Sequence, residues 1–170
     1  MSKPILEIID VMQFAKGKRV VRGRYPMASL QRLSSIIGDA KEHIEFEVQF
    51  FLDTDRTVVL DGQIKATLSL TCQRCLEPLT HTIDARFRLG AVKHESLTDR
   101  LSDDYEPLIL DDAGCIHLQN VIEDELILNI PHIAKHTTAC INLNPDAAQE
   151  NTQTETHENP FAVLHKLKRQ

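Results

Sequence analysis

The chain has no tryptophan and two tyrosines among its 170 residues. Its basic stretches therefore lack the interleaved aromatic rings on which single-stranded bases stack. No apolar run approaches the roughly 20 residues that a membrane-spanning helix requires. The opening residues lack a basic-then-apolar leader, because Glu7 and Asp10 interrupt Ile5, Leu6, Ile8 and Ile9. The expectation is a cytoplasmic chain whose cysteines stay reduced and build no disulfide framework. Catalytic signatures are missing too: there is no glycine-rich phosphate loop, no serine on a strand-to-helix elbow, and no His-Glu-x-x-His. Asp103-Asp104 and Glu123-Asp124-Glu125 imitate paired catalytic acids, but acidic runs on loops and outer helix faces are usually solvated surface. The reading is of a protein that is not an enzyme.

What is present is an uneven charge. Residues 1–40 carry seven Lys or Arg against three Asp or Glu, and the remaining 130 carry twelve against twenty-two. Such asymmetry marks two different surfaces on one protein. Lys16, Lys18, Arg19, Arg22 and Arg24 concentrate the positive charge and are the candidates for contact with RNA phosphates, with Arg32 a little further on and Arg86 and Arg88 as possible additions. The plainer reading of this segment is a solvated helix-turn-strand surface. The acidic surplus offers an alternative contact for a basic partner.

Four cysteines are present, and only Cys72 and Cys75 are close. They stand in Thr71-Cys72-Gln73-Arg74-Cys75-Leu76-Glu77-Pro78, between two runs that alternate apolar and polar residues. Ile64, Ala66, Leu68 and Leu70 point one way before the pair, and Ile83, Ala85, Phe87 and Leu89 alternate with polar residues after it, as strands with one buried face do. The pattern predicts an antiparallel hairpin with a knuckle at its tip. A thioredoxin-type dithiol needs a helix after the first cysteine, and Pro78 with a following strand argues against one. A dithiol-dependent module using Cys72 and Cys75 is kept as the minor alternative, which a helix starting after Cys75 would revive, and two further readings stand beside it. Either the thiols simply pack the turn, so that no cofactor is needed, or they supply half of a structural zinc site, which takes four ligands. Ligands from downstream would come from Cys140, His136 and His132, or from His81 nearer by, whereas Cys115 is isolated in a turn-like context. His132 and His136 also read as ordinary loop residues.

In chain order, Asp10 predicts an N-cap for a short helix through Lys16, stopped by Gly17. Val20 and Val21 suggest a strand that Gly23 weakens. Met27 to Ile37 reads as a helix with Pro26 at its start. Ile44, Phe46, Val48, Phe50 and Leu52 form the clearest strand. Thr57 to Leu70 is a long one, with Asp61-Gly62 as a bulge or tight turn, and Thr80 to Val92 completes a meander of at least three strands. Lys93 to Pro107 is polar enough for a loop, and Leu108 to Leu110 suits a short strand. Leu118 to Ile130 is the strongest helix, ended by Pro131, with Glu123, Asp124 and Glu125 on its outer side as candidate partner contacts. Together these predict an α+β fold: an antiparallel sheet covered mainly on one side by helices.

The domain would span 1–141. Residues 142–159 hold four acids and no Lys or Arg, and read as a disordered acidic linker. Residues 160–170 follow as a C-terminal helix, with Asn159-Pro160 at its start. Phe161, Val163, Leu164 and Leu167 would form its apolar side, suited to its own sheet or to a partner groove.

The order and spacing of several short motifs resemble the YceD family. They are Cys72-Gln-Arg-Cys75 at a strand end, Tyr105-Glu-Pro107, Val121-Ile-Glu-Asp-Glu-Leu-Ile-Leu128 with Pro131, and Asn159-Pro-Phe-Ala-Val-Leu164 with Leu167-Lys-Arg169. Each motif is weak alone, but their sequence covers the chain from about Asp10 to the C-terminus. The resemblance implies a non-enzymatic ribosome biogenesis factor that supports synthesis, processing or stability of 23S ribosomal RNA. It implies as partners large-subunit rRNA or a precursor particle, reached directly or through a basic ribosomal protein or assembly factor, with no membrane and no small-molecule substrate. Many relatives have a second cysteine pair beyond the helix. Here Cys140 stands there with Leu143 three residues on, so a four-ligand site of Cys72, Cys75 and Cys140 requires His136.

Overall fold

Strict alternation over His43–Leu52 puts Ile44, Phe46, Val48 and Phe50 on one buried face and His43, Glu45, Glu47 and Gln49 in water. In the computed structural model, which describes residues 8–37 and 43–140, this segment is the second strand of a five-stranded sheet. Described elements run β1 (Ile8–Asp10), α1 (Val11–Lys16), β2 (Val20–Pro26), a 3₁₀ turn (Met27–Ser29), α2 (Gln31–Ile37), β3 (His43–Leu52), β4 (Val58–Thr71) and β5 (Pro78–Val92). A second 3₁₀ turn (Glu95–Arg100), β6 (Glu106–Ile109), β7 (Cys115–His117) and α3 (Leu118–Leu128) follow. The sheet order is β2-β3-β4-β5-β6, antiparallel except for β6, which lies parallel to β5. β1 and β7 pair separately. This is the expected α+β architecture.

One face of the sheet is covered. α1 packs on β3 and β4, and α2 and α3 on β4. Phe14 of α1 meets Phe50 edge-on, with ring centroids 5.4 Å apart, and Leu30, Leu33, Leu118, Ile122 and Leu126 are fully buried. Burying a side chain of that size removes it from water for roughly 1.5–3 kcal/mol. The other face is a polar ladder, tied by Arg22–Glu47 (2.8 Å), Arg24–Glu45 (2.6 Å), Lys65–Asp84 (3.6 Å) and Arg88–Asp61 (3.1 Å). Exposed pairs of this kind contribute little stability individually.

Several boundaries differ from the sequence reading. β2 runs unbroken past Gly23 to Pro26, so Pro26 closes a strand and does not open a helix. The predicted helix over Met27–Ile37 is interrupted at Leu30, which takes extended dihedrals while its side chain is buried in the core. β4 has neither bulge nor turn at Asp61-Gly62, and Gly62 pairs in register with Val48 and Phe87. The glycine is a packing requirement, because a Cβ there would stand 2.1 Å from the Phe87 ring. At the end of α1, Gly17 caps with an ordinary right-handed φ and Lys18 takes the left-handed conformation, at φ 47. α3 stops at Leu128, where Asn129 caps it and its side-chain amide donates to the Glu125 carbonyl.

The chain divides into two units, residues 1–136 and 137–170. Within the second, the described residues 137–140 form no helix or strand. The predicted linker over 142–159 and terminal helix over 160–170 lie outside the described residues. No helix among the described residues is long and apolar enough to cross a membrane.

Candidate metal centre

β4 and β5 pair from Val58↔Ala91 down to Thr71↔Pro78, which leaves Cys72 to Glu77 as the hairpin tip. The tip closes on itself. Cys72 N–H donates to the Glu77 carbonyl (2.9 Å), and Leu76 N–H donates to the Cys72 carbonyl (2.8 Å). Leu76 sits at φ 63, a left-handed conformation that favours glycine, and its side chain is 76% exposed. Cys72 is fully buried and Cys75 half-buried.

The segment after α3 is clasped against this tip. Gln73 donates its N–H to the Ala134 carbonyl (2.8 Å) and its side-chain amide to the His132 carbonyl (3.1 Å). Arg74 donates to the His136 carbonyl (3.2 Å). These bonds deliver the His136 ring to the cysteines. Its Nε2 lies 3.2 Å from the Pro78 carbonyl, and its Nδ1 lies 3.4 Å from Cys75 Sγ. A carbonyl only accepts, so Nε2 carries the proton and Nδ1 presents its lone pair to the thiol. Fixing the imidazole from behind by a backbone carbonyl is how metal-ligating histidines are oriented.

The ligand atoms of Cys72, Cys75 and His136 lie within 4.8 Å of one another. In tetrahedral zinc with thiolate bonds near 2.3 Å, ligand atoms stand roughly 3.8 Å apart, so small adjustments suffice for coordination. Burial pushes the Cys72 thiol up, but backbone N–H groups of Cys75, His136 and Arg74 and the Cys75 side chain outweigh it, bringing the thiol down to about 5. The donor set is thus two thiols, one already favouring thiolate, and one imidazole in the ligating tautomer. That chemistry suits zinc. Cys140 belongs to the second unit, four residues along the chain from His136. β5 begins at Pro78, so a strand follows the cysteine pair, and the helix that a redox dithiol requires is not there.

The remaining candidates are placed as follows. His132 contributes its carbonyl to Gln73, and His81 stands opposite Leu68 on the ladder. Cys115 begins β7, and its N–H donates to the Asp111 carboxylate (2.6 Å). Lys16, Lys18 and Arg19 occupy the end of α1 and the turn into β2, with the Arg19 guanidinium 4.9 Å above the Phe14 ring. Arg22 and Arg24 stand on the open sheet face, paired with Glu47 and Glu45.

The placement of Glu123, Asp124 and Glu125 on an outer helix face is corrected. Glu123 is 4% exposed and Glu125 7%, so of the three only Asp124 faces water. Glu123 Oε1 accepts the N–H groups of Arg32 (2.7 Å) and Leu33 (3.0 Å), at the start of α2, and its Oε2 receives Arg32 Nε (3.2 Å). Arg32 also pairs with Asp124. A carboxylate from α3 therefore closes the N-terminus of α2, whose orphan donors the local sequence leaves uncapped. Glu123 and Arg32 are 91 residues apart, and nothing in the spacing of either segment signals the contact.

The sequence model of the family described as "Large ribosomal RNA subunit accumulation protein YceD" matches residues 60–168. A Haemophilus influenzae protein of the same name is 30% identical over 166 residues, covering 94% of this chain and 94% of the relative. The chain belongs to the YceD family. The matched span contains the cysteine knuckle, α3 and His136, and it begins after the basic segment 16–24. No solved structure matches the chain.

Proposed function

We propose that this chain supports accumulation of large-subunit (23S) ribosomal RNA as a cytoplasmic, non-enzymatic binding factor, with a zinc-held knuckle as its structural anchor. Membership of the YceD family is the observation that carries this reading. His136 supports the zinc part, since one ring nitrogen is fixed by the Pro78 carbonyl and the other is aimed at Cys75. Cys72, Cys75 and His136 would be three ligands. Cys140 would be the fourth, because four residues of chain reach up to roughly 14 Å. Four protein ligands close the coordination shell, which is the pattern of structural and not catalytic zinc.

Contact with the ribosomal precursor has two routes. The basic segment could hold RNA phosphates, but Arg22 and Arg24 already have carboxylate partners, which leaves Lys16, Lys18 and Arg19 for that purpose. A basic ribosomal protein or assembly factor meeting the acidic side is the route we favour. Of the α3 acids, Glu123 serves the fold and Asp124 pairs with Arg32 while facing water, so a partner would share Asp124 with Arg32 or meet Glu125.

The test is a strain lacking the gene, in which the ratio of large- to small-subunit rRNA should fall and wild-type protein should restore it. A normal ratio in that strain would remove the functional reading. Changing Lys16, Lys18, Arg19, Arg22 and Arg24 together to Gln, and separately Asp124 and Glu125 to neutral amides, then tells the routes apart by sedimentation with large-subunit precursors.

A further inference from the structure

β2 is an edge strand of the sheet, and among the described residues no strand pairs with its outer side. The ladder fixes which backbone groups that side presents. Phe50 N–H donates to the Arg19 carbonyl (2.9 Å), opposite it in the register that continues as Val20↔Gln49. Opposed residues on antiparallel strands alternate between bonded and unbonded pairs. Val21, Gly23 and Tyr25 therefore bond to β3, while Val20, Arg22 and Arg24 turn their N–H and C=O groups outward. Pro26 falls on an outward position, where its missing N–H costs no ladder bond, and its carbonyl accepts from Ser29 Oγ (2.7 Å).

This edge is unshielded. Sheets block such edges with short strands, prolines, bulges or charges laid across them. The opposite edge strand, β6, follows that rule with four residues and Pro107. β2 has seven residues in unbroken register, with proline only at its end. Its arginines lean inward over β3: Arg22 Nε and Nη2 reach Glu47 (2.8 and 2.9 Å), and Arg24 Nη2 reaches Glu45 (2.6 Å). Each guanidinium keeps further N–H groups for an incoming carboxylate. From Lys16 to Pro26 the chain carries five cations and no acid.

We infer that the outer side of β2 receives an extended acidic segment of a protein partner, which joins the sheet as a further strand. Donors and acceptors alternate along this edge, and an added strand satisfies both. RNA phosphates accept only, so they would leave the outward carbonyls unpaired. A second copy would set Arg22 and Arg24 against their own counterparts, which is unfavourable for like charges on paired strands. The added strand would place acids on the open face beside Arg22 and Arg24, and apolar residues on the covered face beside half-buried Val21 and buried Tyr25. The site is separate from the acidic side assigned to a basic partner, and it stands or falls independently of that reading.

The experiment is amide hydrogen exchange, read residue by residue by NMR on the full-length protein, with and without an acetylated heptapeptide of alternating glutamate and valine. In the free protein the Val20, Arg22 and Arg24 amides should exchange fast at every protein concentration, and those of Val21, Gly23 and Tyr25 slowly. The peptide should slow the first three, and a peptide with lysine for glutamate should not. N-methylation of the glutamates and of the valines should act unequally, because only one set of peptide amides faces β2. Arg22→Pro removes an outward donor and no bond to β3, so it should weaken binding about tenfold beyond the equally uncharged Arg22→Gln. Unchanged exchange with the glutamate peptide, equal protection by the lysine peptide, or equal effects of the two methylations overturns the inference. So does protection in the free protein: rising with concentration it would mark a second copy, and constant it would mark the chain itself. Protection of the same amides by oligouridine, with none by the peptide, would assign the edge to RNA instead.

Discussion

His136 Nδ1 lies 3.4 Å from Cys75 Sγ, although 61 residues separate them along the chain. The contact exists because the hairpin tip clasps the segment after α3 through Gln73 and Arg74, and because the Pro78 carbonyl turns the ring. The knuckle therefore joins the far end of the sheet to the chain that leaves α3.

Leu76 gives a prediction of unusual sign. Its left-handed φ of 63 disfavours any residue with a Cβ, and 76% exposure means that its side chain contributes little to the core. Leu76→Gly should raise stability by about 1 kcal/mol. The shift of the urea midpoint measures it, and a lower midpoint would show that the leucine packs more than its exposure suggests.

Glu123 predicts the opposite. Glu123→Ala leaves two backbone donors of α2 and the Nε of Arg32 without their acceptor, which should lower stability by about 2 kcal/mol. Glu123→Lys should prevent folding outright, because it buries a cation against Arg32. Wild-type stability in either variant would contradict the assigned cap.

Those two residues show how much was readable in advance. The strands were legible because one covered face imposes uninterrupted alternation, as in Ile44 to Leu52 and Ile64 to Leu70. The hairpin tip was legible from two cysteines and a proline between such runs. Contacts across the chain were not. Glu123 looks solvated in its own acidic run, and only the packing of α2 against α3 buries it. Gly62 resembles a turn signal until the Phe87 ring, 25 residues later, is laid across it. β6 has four residues and pairs in parallel, too short for a period to declare its direction. His136 was one of several ligand candidates, and the fold singled it out.

Glu125 makes stability pH-dependent in a defined direction. Its carboxyl is raised from 4.5 to about 7 in the folded chain, so folding takes up a proton between those values. The stabilisation is fully present below about pH 4.5 and is lost as pH rises through 7. Glu125→Gln should lack this term. The stability difference between the variant and wild type should therefore grow in the variant's favour from pH 5 to pH 8, as followed by thermal melts. A difference independent of pH would contradict the assignment.

The knuckle is tested most directly by metal content. Elemental analysis of the purified full-length protein should find about one zinc per chain, and Cys72→Ser with Cys75→Ser should abolish it. His136→Ala should reduce it. Structural zinc contributes on the order of 10 kcal/mol of apparent folding free energy in small domains, so a chelator should lower the melting temperature markedly. Protein that carries no zinc, takes up none when supplied, and melts identically with and without chelator would contradict the metal centre and return Cys72 and Cys75 to a packing role.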